Sequence, residues 1–460
     1  MTSETDAPAL EGDAMTVVRE RAAGSGERPV LRHPLRAEAV RGLAPAAGGA
    51  VVLTLGAVLA ATADRWQGGW VETRSELHDV LLLLLPFAAA AGCWLGGRER
   101  RRGTEELWGS VVRGPLARFL ASAVPLALWL VAGYTLTVVG ALLATWPYAR
   151  GDRPYLDLLP VDVVAVAAAS VAGQVVGRVV AWRPAAPLLA LAGYAVLGLS
   201  VASDDGTGRF VNPASPVSYW EVPAGRQRVA MAVWVAGLAT AAVLAYAARR
   251  RWTALLPLAA AVAAGGLLVQ SGDGLWHGNP VENRQVCDTS TTPQVCVSAR
   301  YGELLPQVTA ALSGVTGRLE GVRNLPVRFE DHLGEPRAGE VQLPMLTPIG
   351  WSVVRGRLTD PEQYAWEAVA MLQGRGDCGT LDPRVSLADD AVEHYLAPSP
   401  AEEYFDGLGA RGDEERRAGL AERRAARERL ASMGADARRE WLSAYFATAG
   451  DCDAGKVPVL

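Results

Sequence analysis

Leu81–Gly103 reads LLLLLPFAAAAGCWLGGRERRRG: an apolar run broken only by Pro86, ending abruptly in Arg98, Arg100, Arg101 and Arg102. A helix of about 20 apolar residues crosses the hydrocarbon of a bilayer, and only backbone bonded within its own segment survives there. An arginine cluster directly after such a run marks the cytoplasmic side. Working outward, similar apolar stretches lie at 43–62, 80–97, 119–146, 159–180, 185–202, 229–248 and 254–270. The expected fold is therefore an α-helical polytopic membrane protein of seven spans, followed by a soluble domain.

Charge divides where hydropathy divides. Residues 271–460 hold 20 basic against 29 acidic side chains, a net −9, and the remainder of the chain is +4. An acidic domain argues against nucleic acid as its partner. The 43 arginines against a single lysine, Lys456, reflect codon usage rather than function. Residues 1–30 are polar and charged without a cleavable apolar core, and are expected to be a disordered cytoplasmic tail.

The arginines set an orientation. With the N-terminus inside, 14 arginines fall on the cytoplasmic side, including Arg32, Arg36, Arg41, six in the 98–118 loop and Arg249–Arg251. Seven fall on the opposite side, among them Arg65, Arg74 and Arg209. Trp66, Trp70, Trp146, Trp182, Trp220, Trp252 and Trp276 at span ends fit interfacial belts. An odd number of spans places residues 271–460 outside the cell. Four cysteines, Cys287, Cys296, Cys378 and Cys452, gather in that domain, while Cys93 lies within span two. Four cysteines allow three pairings; Cys287 with Cys296 and Cys378 with Cys452 are expected in an oxidising compartment. Reduced thiols or a zinc site are the alternatives, although no CxxC knuckle occurs.

The external domain reads as mainly helical α+β. A helix is expected over Glu303–Val322 with Leu304, Leu305, Val308, Leu312, Val315 and Leu319 on one face, and others near 362–372, 386–396, 413–433 and 436–448. Val327–Phe329 and Glu340–Leu343 are short strand candidates. Glu393–His394 and Asp331–His332 could serve as acid, base or ligand, but no HExxH, GxSxG or Cys/His nucleophile pattern accompanies them. His394 reads as a surface residue and the 413–429 run as a solvated helix face. The expectation is a chain that is not an enzyme, holding no metal.

After Thr104, a plausible N-cap, Glu105 and Glu106 occupy a first turn favoured by the helix dipole. Leu107, Trp108, Val111 and Val112 then share one face of a short helix over 104–113, which Gly114–Pro115 ends. Such a helix can simply lie on lipid headgroups. However, Gly96–Arg118, GGRERRRGTEELWGSVVRGPLAR, resembles the first cytoplasmic loop of permease subunits of ABC exporters of the type 2 class, where a "GT-E-L" helix docks on the ATP-hydrolysing subunit. Arg32–Arg41 resembles the interfacial elbow helix of that family, and Asp204–Arg226, with Phe210, Pro213, Pro216, Tyr219, Trp220 and Pro223, its re-entrant extracellular segment. The resemblance covers residues 30–250. It implies a six-span permease domain over 31–252, with a seventh span at 253–270 and the external domain at 271–460 as additions.

The resemblance further implies ATPase-coupling roles for Thr104, Glu105, Glu106, Leu107, Trp108, Val111 and Val112, a separate cytoplasmic ABC ATPase binding ATP and magnesium, and a second permease subunit. The chain itself has no GxxxxGK[ST] phosphate loop, so no cofactor is expected in it. An ATP-driven exporter of a hydrophobic or amphipathic solute is the expected function; a membrane-anchored receptor or immunity protein without transport is the alternative. Asp162 and Gln174, polar groups inside span four, are candidates for the substrate path. The neighbouring Gly173-x-x-x-Gly177 suits close helix packing, within the subunit or between two.

Overall fold

The computed structural model describes residues 42–103, 114–149, 153–180, 182–202, 206–332, 334–347 and 352–460. The elbow segment and all seven coupling residues between Thr104 and Val112 lie outside the described residues. Among the described residues, seven helices are long and apolar enough to cross a membrane: Ala44–Ala61, Trp70–Gly96, Pro115–Thr145, Leu159–Val179, Ala185–Ala202, Gly225–Ala247 and Arg251–Leu275. They are called spans one to seven below. Only Ala186 of span five is buried, while Leu188, Leu191, Val196 and Leu199 face outward. An apolar surface that continuous would be a liability in water and is ordinary against lipid; this is the make-up of a multi-pass membrane protein.

Small residues decide which spans touch. On span four, a Cβ at Gly173 would lie 1.9 Å from the Ala89 carbonyl oxygen, and one at Gly177 2.0 Å from that of Cys93. Span two reciprocates: a Cβ at Gly92 would lie 2.0 Å from the Ser170 oxygen, and one at Gly96 2.4 Å from that of Gln174. The two helices therefore meet backbone to backbone, as small-xxx-small seams do. The glycine pair of span four is used within the chain.

Span two differs from its sequence boundary. The helix begins at Trp70 rather than near 80, with Val80 between its two parts, so Glu72, Arg74 and His78 are helical and buried instead of lying in a loop. Apolar counting stopped at the first charges. Those charges are tolerated because each finds a partner on another element, as described below.

The C-terminal region is sheet-containing. Strands β1 (Glu221–Pro223) and β2 (Trp276–Gly278) pair antiparallel, stitching the loop between spans five and six to the chain leaving span seven. Next, β3 (Gln285–Asp288), β4 (Gln294–Ser298), β5 (Arg328–Glu330) and β6 (Glu340–Gln342) form one sheet in that order. The β3–β4 pair is antiparallel and the other two pairs are parallel. Helix Leu305–Arg318 makes the β4–β5 crossover and buries Val308, Leu312 and Val315, the face its spacing specifies. Helices Pro361–Gln373, Pro383–Leu396, Glu402–Ala410, Glu414–Ser432 and Ala435–Phe446 complete the region. Asp360 caps the first of them, accepting from the Gln363 amide at 3.0 Å. Strands β3 and β4 and the 402–410 helix carried no sequence signal strong enough to be expected.

Cys287 is bonded to Cys296, its direct cross-strand partner, and Cys378 to Cys452. Cys93 is free and buried. The 413–429 run is largely solvated as expected, except at Leu420, Ala426 and Arg427, which are buried. The Arg427 guanidinium is bonded to both oxygens of Asp390, with Asp406 and Glu402 beside it.

Candidate functional site in the span core

Asp162, in the first turn of span four, is 3% exposed. One of its oxygens lies 2.9 Å from Nδ1 of His78 on span two, and the other accepts from the Tyr134 hydroxyl of span three at 2.9 Å. Three spans thus converge on one carboxylate, which satisfies the requirement that a charge in a low-dielectric interior be paired and hydrogen-bonded. With Nδ1 engaged, Nε2 is the ring nitrogen left to meet a ligand. His78 lines a cavity of about 180 Å³ beneath the β1 and β2 ribbon, whose walls include Gln227 and Met231 of span six and Leu268 and Trp276 of span seven and β2. The Gln227 carboxamide is buried, and its Oε1 has no hydrogen-bond partner among the described residues.

Gln174 belongs elsewhere. Twelve residues of helix from Asp162 correspond to about 18 Å, which puts it near the other end of the bundle. There its amide donates to Ser122 Oγ at 2.7 Å, and Arg178 donates to the same Oγ at 2.8 Å. Arg178 also lies 3.4 Å from Glu99, and Arg100 donates to the Arg178 carbonyl at 2.9 Å. The two substrate-path candidates therefore do not form one site. Asp162 acts on the cavity through His78, while Gln174 helps clamp the arginine-rich end of span two to spans three and four.

A second buried cluster joins the C-terminal region to the bundle. Arg300, just after β4, donates to Glu72 of span two and to Glu282, and the Tyr301 hydroxyl also donates to Glu72. Burial opposes the Arg300 charge, yet Glu72, Tyr301 and Glu282 together hold its pKa well above the ordinary value. Nearby, Arg74 donates to the carbonyls of Ser218 and Glu221 at 3.0 and 2.9 Å, Ser75 to that of Val217 at 3.0 Å, and Asn279 to the Tyr155 hydroxyl at 2.7 Å. The loops expected on the outer side thus all meet the C-terminal region at one end of the bundle. Glu99, Arg100 and Arg178 lie at the other.

No protein-family model, curated protein or solved structure matches this chain.

In the sheet, Glu330, His332 and Glu340 bring their ligand atoms within 4.8 Å of one another. Arg328 already supplies the countercharge, with Glu340 2.6 Å away and Glu330 also in reach. Of the acid–base pairs in the sequence, His394 is half-exposed and bonded to Glu402 at 3.0 Å, as its surface reading implies. Burial, reinforced by Glu282, raises the Asp331 carboxyl to about 7. A raised acid holds its proton in the fold at pH values where the unfolded chain has released it. The associated stability is full below the ordinary aspartate value and is lost as pH rises through about 7. At roughly 1.4 kcal/mol per pH unit, this amounts to about 4 kcal/mol at most. Glu340, held down to about 2 first by its hydrogen bond from Arg328, titrates in the separate window below about pH 4.5. Melting temperature should therefore fall between about pH 4 and 7, and Asp331→Asn should flatten that fall. An unchanged slope in the variant would assign it to other groups.

Sequence reading missed His78 and Tyr134. The rule that ionisable groups at membrane depth are functional candidates would have found His78, had span two been drawn from Trp70.

Proposed function

We propose that this chain is the membrane subunit of an ATP-driven exporter of the type 2 class, coupling a separate cytoplasmic ATPase to outward movement of a hydrophobic or amphipathic solute. The observation that carries this reading is the clamp formed by Glu99, Ser122, Gln174 and Arg178 at the base of the arginine-rich loop. A push on residues 104–113 would be transmitted through it to spans two, three and four together, rather than being absorbed by a slack loop. The glycine seam makes spans two and four one body, and Asp162 and His78 sit at the far end of that body. The 271–460 region, disulfide-bonded and on the side opposite the arginine clusters, suits an extracytoplasmic position in the cell membrane. A second permease subunit and a cytoplasmic ATPase are the partners this reading requires.

A receptor without transport is the second reading. It is favoured by the buried Arg300 contact, which fastens the C-terminal region to span two as a ligand-reporting domain would be fastened.

The test is co-expression with a P-loop ATPase encoded beside this chain. Placing unpaired charges on the face of Leu107 and Trp108 costs several kcal/mol in a buried contact. The Leu107→Asp/Trp108→Asp variant should still accumulate in membranes with both disulfides formed, yet lose co-purification of the ATPase and stimulation of ATP hydrolysis. Equal recovery of the ATPase with variant and wild type would remove the coupling role of residues 104–113 and leave the receptor reading in place.

A further inference from the structure

A second, apolar cavity of about 360 Å³ lies between spans two, four, five and six. It shares Pro213 with the His78 cavity, and the same two helix faces run from one into the other. On span four, Val161 borders the first cavity, and Ala165, Ala168 and Ala172 the second, at spacings of four, three and four residues. On span six, Gln227 and Met231 border the first, and Trp234 and Leu238 the second, again at spacings of four, three and four. Residues so spaced form one stripe along a helix. The stripe is polar at its His78 end and wholly apolar beyond Pro213.

We infer that the two cavities are one binding site for a single-chain amphipathic lipid with an uncharged, hydroxyl-bearing head. The head occupies the 180 Å³ chamber and the acyl chain follows the alanine-lined groove toward the middle of the bundle. Three observations select this chemistry. The buried Gln227 Oε1 lacks a donor, and a hydroxyl supplies one. His78, fixed through Nδ1 by Asp162, presents its second nitrogen to another polar group of the head. The one arginine of the chamber wall is not left for a phosphate: Arg209 is held by both oxygens of Asp273 at 3.0 and 2.9 Å, the His78 ring is engaged by Asp162, and Glu221 adds a carboxylate residue to the wall. An anionic head would enter a chamber with no unpaired cation among the described residues and pay for its desolvation. The groove carries small side chains on span four where a chain of methylenes needs room, with the Trp234 ring on the facing wall.

The site deepens the exporter reading by naming the class of its cargo, and rests on that reading only for movement; binding is measured without an ATPase, so a failure here leaves the coupling test untouched. The probe is a monoacylglycerol with a dibrominated acyl chain, titrated into the purified full-length protein in detergent while tryptophan fluorescence is read. Bromine in the groove lies against Trp234. Quenching should saturate, and the saturable part should disappear in Trp234→Phe. The lysophosphatidate carrying the same brominated chain, and the brominated methyl ester, should bind at least about tenfold more weakly, as expected for losing a buried hydrogen bond or burying an unpaired charge. Gln227→Leu should erase the preference for the hydroxyl head, and Ala168→Phe should weaken all three probes by filling the groove. Non-saturating quenching, or equal affinity of the three probes for the wild-type protein, would overturn the site and leave only lipid at the bundle surface.

Discussion

Gly173→Val should prevent spans two and four from seating and remove most of the folded protein. The added Cβ alone would lie 1.9 Å from the Ala89 carbonyl oxygen, with the Ala89 carbonyl carbon at 2.6 Å and its Cα at 2.7 Å. All three are backbone atoms, so no side chain can swing aside; one helix has to move by an ångström or more. Overpacking a well-fitted interface typically costs about 1–3 kcal/mol, and an obstacle made of backbone belongs at or beyond the top of that range. The displacement would also pull span two from Asp162, since His78 rides on the same helix. Gly198→Val in span five and Gly49→Val in span one are the matched controls, because a Cβ at either meets nothing within 4 Å. The measurement is the fraction of protein remaining monodisperse by size-exclusion chromatography after heating. A Gly173→Val protein as stable as the Gly198→Val control would mean that spans two and four are not packed through these glycines.

Arg300→Met should be the most damaging single change outside the spans. It leaves the Glu72 carboxylate, which has no exposed side-chain surface, facing Glu282 without a cation between them. Breaking a buried pair by removing one partner costs about 3–5 kcal/mol, because a charge is left stranded. The unfolding midpoint should drop accordingly, and protease cleavage between β2 and β3 should accelerate as the C-terminal region comes off span two. Glu72→Gln combined with Arg300→Met should recover a sizeable part of the loss, since groups in direct contact couple by about 0.5–3 kcal/mol. Strictly additive losses in the double variant would show that Glu72 and Arg300 do not interact in the folded protein.

The features legible in the sequence were those that depend on near neighbours. A run of apolar residues specifies a span wherever it lies in the chain, and the apolar face of Leu305–Arg318 follows from spacings of three and four residues. The cap at Asp360 needs only the amide of Gln363. Even the grouping of the loops at two ends of the bundle followed from the succession of spans, because each span reverses direction. Cysteine count alone left three pairings open, and the cross-strand register of β3 and β4 selects Cys287 with Cys296.

What the sequence could not give were partners far away along the chain. Apolar patterning starts span two ten residues late, near 80 rather than at Trp70, because Glu72, Arg74 and His78 look like loop residues until their partners are known. Glu72 meets Arg300 at a separation of 228 residues, and His78 meets Asp162 at 84. For the same reason, Asp162 and Gln174 read as one path when taken from a single helix, although folding sets one behind His78 of the chamber wall and the other in a clamp. Local pattern fixes which segments become apolar helices, since the cost of an unpaired backbone or exposed apolar surface is incurred by each segment separately. Which charges can be buried is decided only by the tertiary structure, since a buried charge is tolerated by virtue of a partner that another part of the chain must deliver.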